Sequence, residues 1–142
     1  MSELNFSGKT VLVVGGSSGI GNGIAHSFLS RGAQVHVWGT RASADDYDAA
    51  DGSDLSGLHY SCVDVSDHAA IEAHQADFDT LDVLVLSQGV VRYRQEEFEK
   101  PGWDYVMDVN IDSVMSCASK FKPLLAETNG AIIIVSSISG MQ

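Results

Sequence analysis

The sequence predicts a single α/β domain over residues 1–142, built on an open, doubly wound parallel sheet that is truncated after about five strands. Short apolar runs alternate with longer segments of helical periodicity, which is the order expected of repeated strand–helix–strand units. The first run, Thr10–Val14, is also continuous rather than interrupted by polar residues at every second position. Continuous runs are typical of parallel strands that helices cover on both faces.

Each predicted element has a local signal. Apolar residues recur at helical spacing over residues 20–31, which predicts the first helix. Asp67 is a favourable N-cap for a modest second helix that ends near Ala76. Pro101 suits the first turn of a long helix that we expect to reach Glu127. The other four predicted strands cover residues 34–38, 59–63, 81–86 and 131–136.

Composition limits the class of protein. The net charge of −11 argues against nucleic acid and anionic membrane as partners. No apolar run approaches the roughly 20 residues that span a membrane. The first residues lack the basic and apolar regions of a signal peptide. Because the two cysteines form no CxxC motif and fit a reducing compartment, we expect a cytoplasmic protein.

The sequence predicts no metal site. The five histidines form no ligand pattern of the His-x-x-x-His kind. The segment 42–57 is polar and rich in Asp and Gly, but its spacing does not match a calcium-binding EF-hand loop. We therefore expect a solvated loop there, with at most a short helix.

The strongest local motif is VGGSSGIG, residues 14–21, which joins the first strand to the first helix. Gly15 permits a tight turn out of the strand, and Gly19 leaves room for a pyrophosphate beside the backbone. Gly21 allows the helix to pack closely on the sheet. The positive N-terminal end of that helix would then face the anion. The motif and its position predict dinucleotide binding of the Rossmann type.

The sequence resembles the short-chain dehydrogenase/reductase family over essentially its whole length. Besides the glycine loop, the resemblance rests on four features that follow the family's order and spacing: FSGKT at 6–10, Asp64-Val65, Asn110 and Ser136-Ser137. It implies an NAD(P)-dependent oxidoreductase that interconverts a small-molecule carbonyl and a secondary alcohol by hydride transfer. It also implies a homodimer or homotetramer, because the helix predicted over residues 101–127 packs against its twin in the family.

The resemblance implies roles for individual residues. Asn110 would order a proton-relay water, and Ser137 would hydrogen-bond the substrate oxygen. Asp64 would bind the adenine amino group, with Val65 beside it. The segment Leu86-Ser87-Gln88-Gly89 departs from the family's usual Asn-Asn-Ala-Gly, which weakens the assignments there. The residues that would hold the cofactor are Gly15, Ser17, Ser18, Gly19, Ile20, Gly21, Thr40, Arg41, Asp64, Val65, Ser87 and Gly89.

The end of the second strand favours NADP over NAD. NAD-preferring relatives carry an acidic residue there, which binds the ribose 2′-OH. That position is Gly39 in this sequence, followed by Thr40 and Arg41. No carboxylate would repel a 2′-phosphate, and Arg41 offers a planar donor fork to bind one. NAD stays open as the alternative, because the aspartates of the segment 42–57 oppose a phosphate unless that loop folds away.

The family's catalytic tyrosine and lysine have no counterpart in the sequence. The resemblance implies the tyrosine as general acid or base at roughly position 150, with the lysine four residues later. We therefore expect a C-terminally incomplete domain that is inactive alone, supplies the cofactor-binding half, and exposes the sheet edge beyond the fifth strand. The alternative is a non-catalytic fragment that binds only a dinucleotide or a partner. Asn110 and Ser137 argue mildly against it, since such a fragment has no chemical use for them.

Overall fold

The computed structural model describes residues 4–141, which form a sheet of five parallel strands with helices packed on it. The strands are β1 (Thr10–Val14), β2 (Gln34–Gly39), β3 (His59–Cys62), β4 (Val83–Leu86) and β5 (Ala131–Ile134). The helices are α1 (Gly19–Leu29), α2 (His68–Ala73), α3 (Lys100–Met107) and α4 (Ser113–Thr128). The strand order β3-β2-β1-β4-β5 confirms the predicted doubly wound fold of Rossmann type.

Both faces of the central strands are buried, which explains the continuous apolar runs. Leu12 of β1 belongs to the core on one face together with Phe121 of α4. Val13, the next residue, belongs to the core on the other face together with Ala25 of α1. Because successive side chains of a strand point to opposite faces, a strand between two layers needs an apolar residue at every position.

The long helix predicted from Pro101 to Glu127 is confirmed as one uninterrupted helical run over residues 100–128, but it contains a π-helical turn that was not predicted. α3 ends at Met107, and Asp108–Asp112 form a π-helical turn before α4 begins at Ser113. A π-turn inserts about one extra residue and occurs mostly near functional sites. Apolar periodicity does not reveal it, because the pattern on either side of the turn is still helical.

β5 lies at an edge of the described sheet, as the sequence led us to expect. It pairs with β4 along its whole length. Nevertheless Ile132, Ile133 and Ile134 are 42%, 44% and 56% exposed. Within residues 4–141 this edge strand therefore presents apolar side chains that favour association with other chain segments. In the same range, no helix has the length and hydropathy needed to cross a membrane.

We expect the free energy of unfolding to fall as the pH is lowered from about 7 to about 5. Burial of His36, together with the nearby His59, lowers the pKa of His36, and Asp77 only partly opposes this shift. The His36 ring is buried and stacks on His59 with ring centroids 4.6 Å apart. The unfolded state, whose histidine titrates near about 6.5, binds the proton more readily than the folded state. The neutral, buried His36 therefore contributes fully to stability above about pH 6.5, and this contribution is lost as the pH falls towards the lowered pKa of His36.

Chemical denaturation at a series of pH values measures this effect. His36→Phe should flatten the pH dependence, because phenylalanine keeps an aromatic ring in the stack and does not titrate. A pH dependence that is equally steep in this variant would contradict the assignment to His36.

Candidate functional site

The candidate site lies at the carboxyl ends of the strands, where the chain order of the sheet reverses. β1 and β4 are neighbours although β2 and β3 separate them in the sequence. The loops that follow β1 and β4 diverge and leave a crevice, which is where open α/β sheets usually bind ligands. This crevice contains a cavity of about 370 Å³.

Ten of the twelve predicted cofactor residues line this first cavity; Gly19 and Arg41 do not. Its wall also contains apolar and aromatic residues that were not predicted. Trp38 and Val63 adjoin the predicted positions Gly39 and Asp64, so their place in the sequence could have revealed them. Tertiary structure alone brings the other three to the wall: Val90, Tyr105 and Val109.

The glycine loop has the geometry that its sequence predicts. Gly15 has φ +76°, and a Cβ there would lie 2.9 Å from the backbone of Gln88. Its N–H donates to Trp38 O over 3.1 Å, which ties the loop to β2. Gly19 has φ +54°, and a Cβ there would have no neighbour within 4 Å. The backbone at Gly19 therefore faces open space, as the binding of a pyrophosphate requires.

The N-terminus of α1 is free to receive an anion. Ser18 occupies the N-cap position, but its hydroxyl makes no capping hydrogen bond, and the first turn contains no acidic residue. The first N–H groups of a helix lack intrahelical partners and carry partial positive charge. Ser18, Ile20 and Gly21 also line the first cavity. Phosphate oxygens bound there could therefore accept hydrogen bonds from the free N–H groups of the first turn of α1.

Among the described residues, Asp64 is the only carboxylate on the wall of the first cavity. Its Oδ1 accepts hydrogen bonds from the Ser66 N–H (3.0 Å) and the Ser66 hydroxyl (2.7 Å), which orient the side chain. Among the residues that the structure describes, no group of three or more His, Cys, Asp or Glu side chains could hold a metal.

The segment after β4 is held by side-chain hydrogen bonds. Ser87 Oγ donates to Val14 O over 2.7 Å and ties the end of β4 to β1. Gln88 Nε2 donates to Ser113 Oγ over 2.8 Å. Since Ser113 Oγ itself donates to Val109 O, it can only accept from Gln88, which orients the Gln88 amide. Gln88 Oε1 is then buried without a hydrogen-bond partner in the described part of the chain.

A second cavity, of about 560 Å³, brings the two predicted catalytic residues together. Asn110 and Ser137 both line it. It shares four residues of its wall with the first cavity: Ser87, Gln88, Gly89 and Val90. A substrate in the second cavity would therefore lie next to a ligand in the first.

Asn110 lies within the π-helical turn, and its amide binds the backbone of Val90. Nδ2 donates to Val90 O over 2.9 Å, and Oδ1 accepts from Val90 N over 2.8 Å. The amide therefore connects the helical segment to the loop after β4. Ser137 Oγ accepts a hydrogen bond from Ser139 N over 3.2 Å.

A tyrosine that was not predicted closes the end of β2. Tyr47 folds back so that its Oη accepts hydrogen bonds from the backbone N–H groups of Thr40 and Arg41, each over 3.2 Å. A Cβ on Gly39 would lie only 2.5 Å from Tyr47 Oη. The Arg41 guanidinium lies 4.6 Å from the centre of the Tyr47 ring and donates to Asp46 O. Arg41 is therefore near the predicted 2′-phosphate site but is engaged with its own loop.

The hydrogen bonds around the two tyrosines shift their pKa values in opposite directions. Burial tends to raise the pKa of Tyr47, but the neighbouring Ser17 and Tyr60 hydroxyls, together with the two backbone N–H groups, outweigh it and lower that pKa. Burial, followed by the interaction with Tyr47, raises the pKa of Tyr60. The Tyr60 hydroxyl also donates to Arg41 O.

The Asp-rich segment 42–57 folds onto itself. The carboxylates of Asp46 and Asp48 accept backbone N–H groups of their own loop and cap two short 3₁₀ turns. The backbone oxygen of Asp54 accepts a hydrogen bond from Asn22 Nδ2 over 2.7 Å, and His26 Nε2 lies 2.7 Å from the same oxygen. These contacts anchor the loop against α1 and direct two of its carboxylates into local turns.

Comparison with known proteins identifies the family. The family model described as "short chain dehydrogenase" matches residues 9–142. The chain belongs to the short-chain dehydrogenase/reductase family. This membership confirms the resemblance predicted from the glycine loop and the motifs that follow it.

Two curated relatives and one solved structure illustrate this membership. The chain is 36% identical to the 3-oxoacyl-(acyl-carrier-protein) reductase FabG of Chlamydia muridarum, over 94% of this chain and 57% of the relative. It is 28% identical to the 2-dehydro-3-deoxy-L-rhamnonate dehydrogenase (NAD(+)) of Sphingomonas sp. strain SKA58, over 96% of this chain and 57% of that relative. The Pseudomonas aeruginosa RhlG/NADP active-site complex superposes with a TM-score of 0.80 at 30% identity, over 97% of this chain and 58% of the chain in that structure. The chain thus spans just over half the length of the relatives that it matches.

Proposed function

We propose that the chain is the cofactor-binding part of an NAD(P)-dependent oxidoreductase that interconverts a carbonyl and a secondary alcohol. The main support is geometric: ten of twelve predicted cofactor residues line one cavity, and both predicted catalytic residues line the cavity beside it. A bound nicotinamide would supply or accept the hydride. The names of the two curated relatives, a reductase and a dehydrogenase, are consistent with this reaction class.

In this proposal the residues of the chain bind and orient the reactants. The glycine loop and the N-terminus of α1 hold the pyrophosphate, while Asp64 accepts the adenine amino group. The Ser137 hydroxyl donates a hydrogen bond to the substrate oxygen in the second cavity. Asn110 holds the π-turn in place beside that cavity and orders the proton-relay water. The 142 residues alone bind the cofactor without turnover, since none of their tyrosines has the family's spacing from Ser137.

We further propose that NADP is preferred over NAD. The end of β2 carries Gly39 in place of a carboxylate, and the Arg41 side chain and backbone N–H lie beside it. A 2′-phosphate that displaces Tyr47 Oη would meet these donors, and it would meet no opposing charge from β2. The names of the relatives include both NAD(+) and NADP, so the preference rests on this chain's own residues.

The proposal includes self-association and a reducing compartment. Trp103, Ile111 and Met115 lie along the segment from α3 to α4 and are 58%, 55% and 57% exposed. A row of exposed apolar side chains supports a homodimer or homotetramer through this segment. Cys62 and Cys117 are both free thiols, which supports a cytoplasmic setting.

Titration of the chain with NADPH and with NADH tests the proposed binding. Fluorescence of Trp38 on the cavity wall provides a signal, and calorimetry provides a second one. We expect saturable binding of both, with NADPH tighter. Arg41→Ala should weaken NADPH binding by roughly ten- to a hundredfold, because a charge-assisted hydrogen bond contributes about 1.5–3 kcal/mol and 1.4 kcal/mol is tenfold.

NADH affinity should not change in the Arg41→Ala variant. Arg31→Ala is the matched control, since Arg31 donates to Ser27 O at the far end of α1 and contacts no residue of the cavity wall in the part described. Failure to bind either nucleotide would refute the proposed function. If Arg41→Ala lowered the affinities for NADPH and NADH equally, only the proposed preference for NADP would be refuted.

A further inference from the structure

Two backbone hydrogen-bond donors converge on one point at the end of β2. The N–H groups of Thr40 and Arg41 both reach Tyr47 Oη over 3.2 Å. Tyr60 Oη lies 3.4 Å from the same oxygen. Converging N–H donors are typical of a site for an oxyanion, whereas here the occupant is a phenol oxygen.

This point coincides with the position that decides between the two cofactors. A Cβ on Gly39 would lie 2.5 Å from Tyr47 Oη and 2.6 Å from Ser17 Oγ. Tyr47 Oη therefore fills the space where a longer side chain at the end of β2 would begin. Ser17, Gly39 and Thr40 line the first cavity, so the point lies at the rim of that cavity. A ribose bound against β2 would direct its 2′ substituent towards it.

We propose that Tyr47 is a specificity-determining residue whose hydroxyl competes with a 2′-phosphate for the N–H groups of Thr40 and Arg41. This inference rests on the proposed function, since it requires a dinucleotide in the first cavity. To bind these donors, the phosphate must displace Tyr47 Oη. The ribose 2′-OH of NAD carries no phosphate and leaves the donors with Tyr47. The hydroxyl therefore lowers the preference for NADP over NAD.

The ring and the hydroxyl of Tyr47 act in opposite directions. The ring lies 4.6 Å from the Arg41 guanidinium and keeps this cation at the end of β2. The hydroxyl occupies the donors that the phosphate needs. A variant without the hydroxyl but with the ring should therefore bind a 2′-phosphate more tightly than the natural chain does.

The experiment compares the natural chain with Tyr47→Phe and Tyr60→Phe in titrations with NADPH, NADH and adenosine 2′,5′-bisphosphate. Tyr47→Phe should raise the affinity for NADPH and for the bisphosphate by roughly three- to tenfold, the size expected for one hydrogen-bonded competitor. NADH affinity should not change. Tyr60→Phe removes the hydroxyl that donates to Arg41 O but leaves Tyr47 Oη in place, so the ratio of affinities should stay within about twofold.

Each other outcome overturns the inference. If Tyr47→Phe leaves the NADPH-to-NADH ratio unchanged, the hydroxyl does not compete. If it lowers the ratio while NADH still binds, Tyr47 is a ligand of the phosphate rather than its competitor. An equal gain in Tyr60→Phe would show that loosening of the loop causes the effect. If the natural chain binds neither nucleotide, the proposed function fails as well; in the other three cases it survives.

Discussion

Gly21→Ala is expected to abolish dinucleotide binding and to lower the free energy of unfolding by about 3 kcal/mol, the upper part of the usual range for overpacking. A Cβ at this position would lie 2.2 Å from Gly15 O and 2.5 Å from Ser87 Oγ. The first of these atoms belongs to the backbone of the glycine loop. α1 or the loop must therefore move, and either movement displaces the groups that would hold the pyrophosphate.

Gly23→Ala is the matched control, two residues further along the same helix. A Cβ at Gly23 would have no neighbour within 4 Å. Alanine in a helix interior is favoured over glycine by about 0.5–1 kcal/mol, so this variant should be slightly more stable than the natural chain. Chemical denaturation and titration with NADPH measure both properties. Natural binding and stability in Gly21→Ala would mean that α1 does not pack against the glycine loop as described.

Asn110→Ala is expected to lower the free energy of unfolding by about 2 kcal/mol, since two hydrogen bonds to a half-buried backbone are lost together. Both bonds are made with the N–H and the C=O of Val90, 20 residues away. The loop after β4 should therefore move more freely beside the second cavity. Hydrogen exchange at the Val90 amide should become faster, because its acceptor is removed.

Asn110→Asp separates the two bonds. Aspartate keeps the oxygen that accepts the Val90 N–H, but its second oxygen faces Val90 O without a proton to donate, so we expect a loss of stability at least as large as that of the alanine variant. Exchange at Val90 should stay slow in Asn110→Asp and become fast in Asn110→Ala. Slow exchange in both variants would show that the amide does not hold this loop. Because this readout needs no turnover, it tests the positioning role of Asn110 separately from the catalytic role that we propose for it.

The strands, the first helix and the glycine loop could be predicted because their signals are local. The run Thr10–Val14 is apolar at every position, and the structure places it between two layers. The left-handed backbone at Gly15 follows from glycine at the end of a strand. Asp67 was predicted as an N-cap, and its carboxylate accepts the Ala69 N–H over 2.9 Å. In each case, the residues that carry the signal also make the interaction.

Element boundaries were less well predicted where neighbouring elements decide them. The predicted second helix ends at Ala73 instead of Ala76, and the fourth strand begins at Val83 instead of Leu81. Leu81 is fully buried, so its apolar character reflects the core rather than pairing in the sheet. Burial and strand pairing have the same signature in a short apolar run.

By itself, the sequence determined the family, the order of elements and most of the wall of the first cavity, because motif residues adjacent in the chain stay adjacent in space. Only the tertiary structure decided which side chain binds the backbone at the end of β2 and which side chain fixes the loop beside the second cavity. Tyr47 reaches Thr40 through a folded loop, and Asn110 reaches Val90 across 20 residues. Such hydrogen bonds join residues that the chain does not keep together. They depend on how the sheet and its helices pack, which no local pattern of residues records.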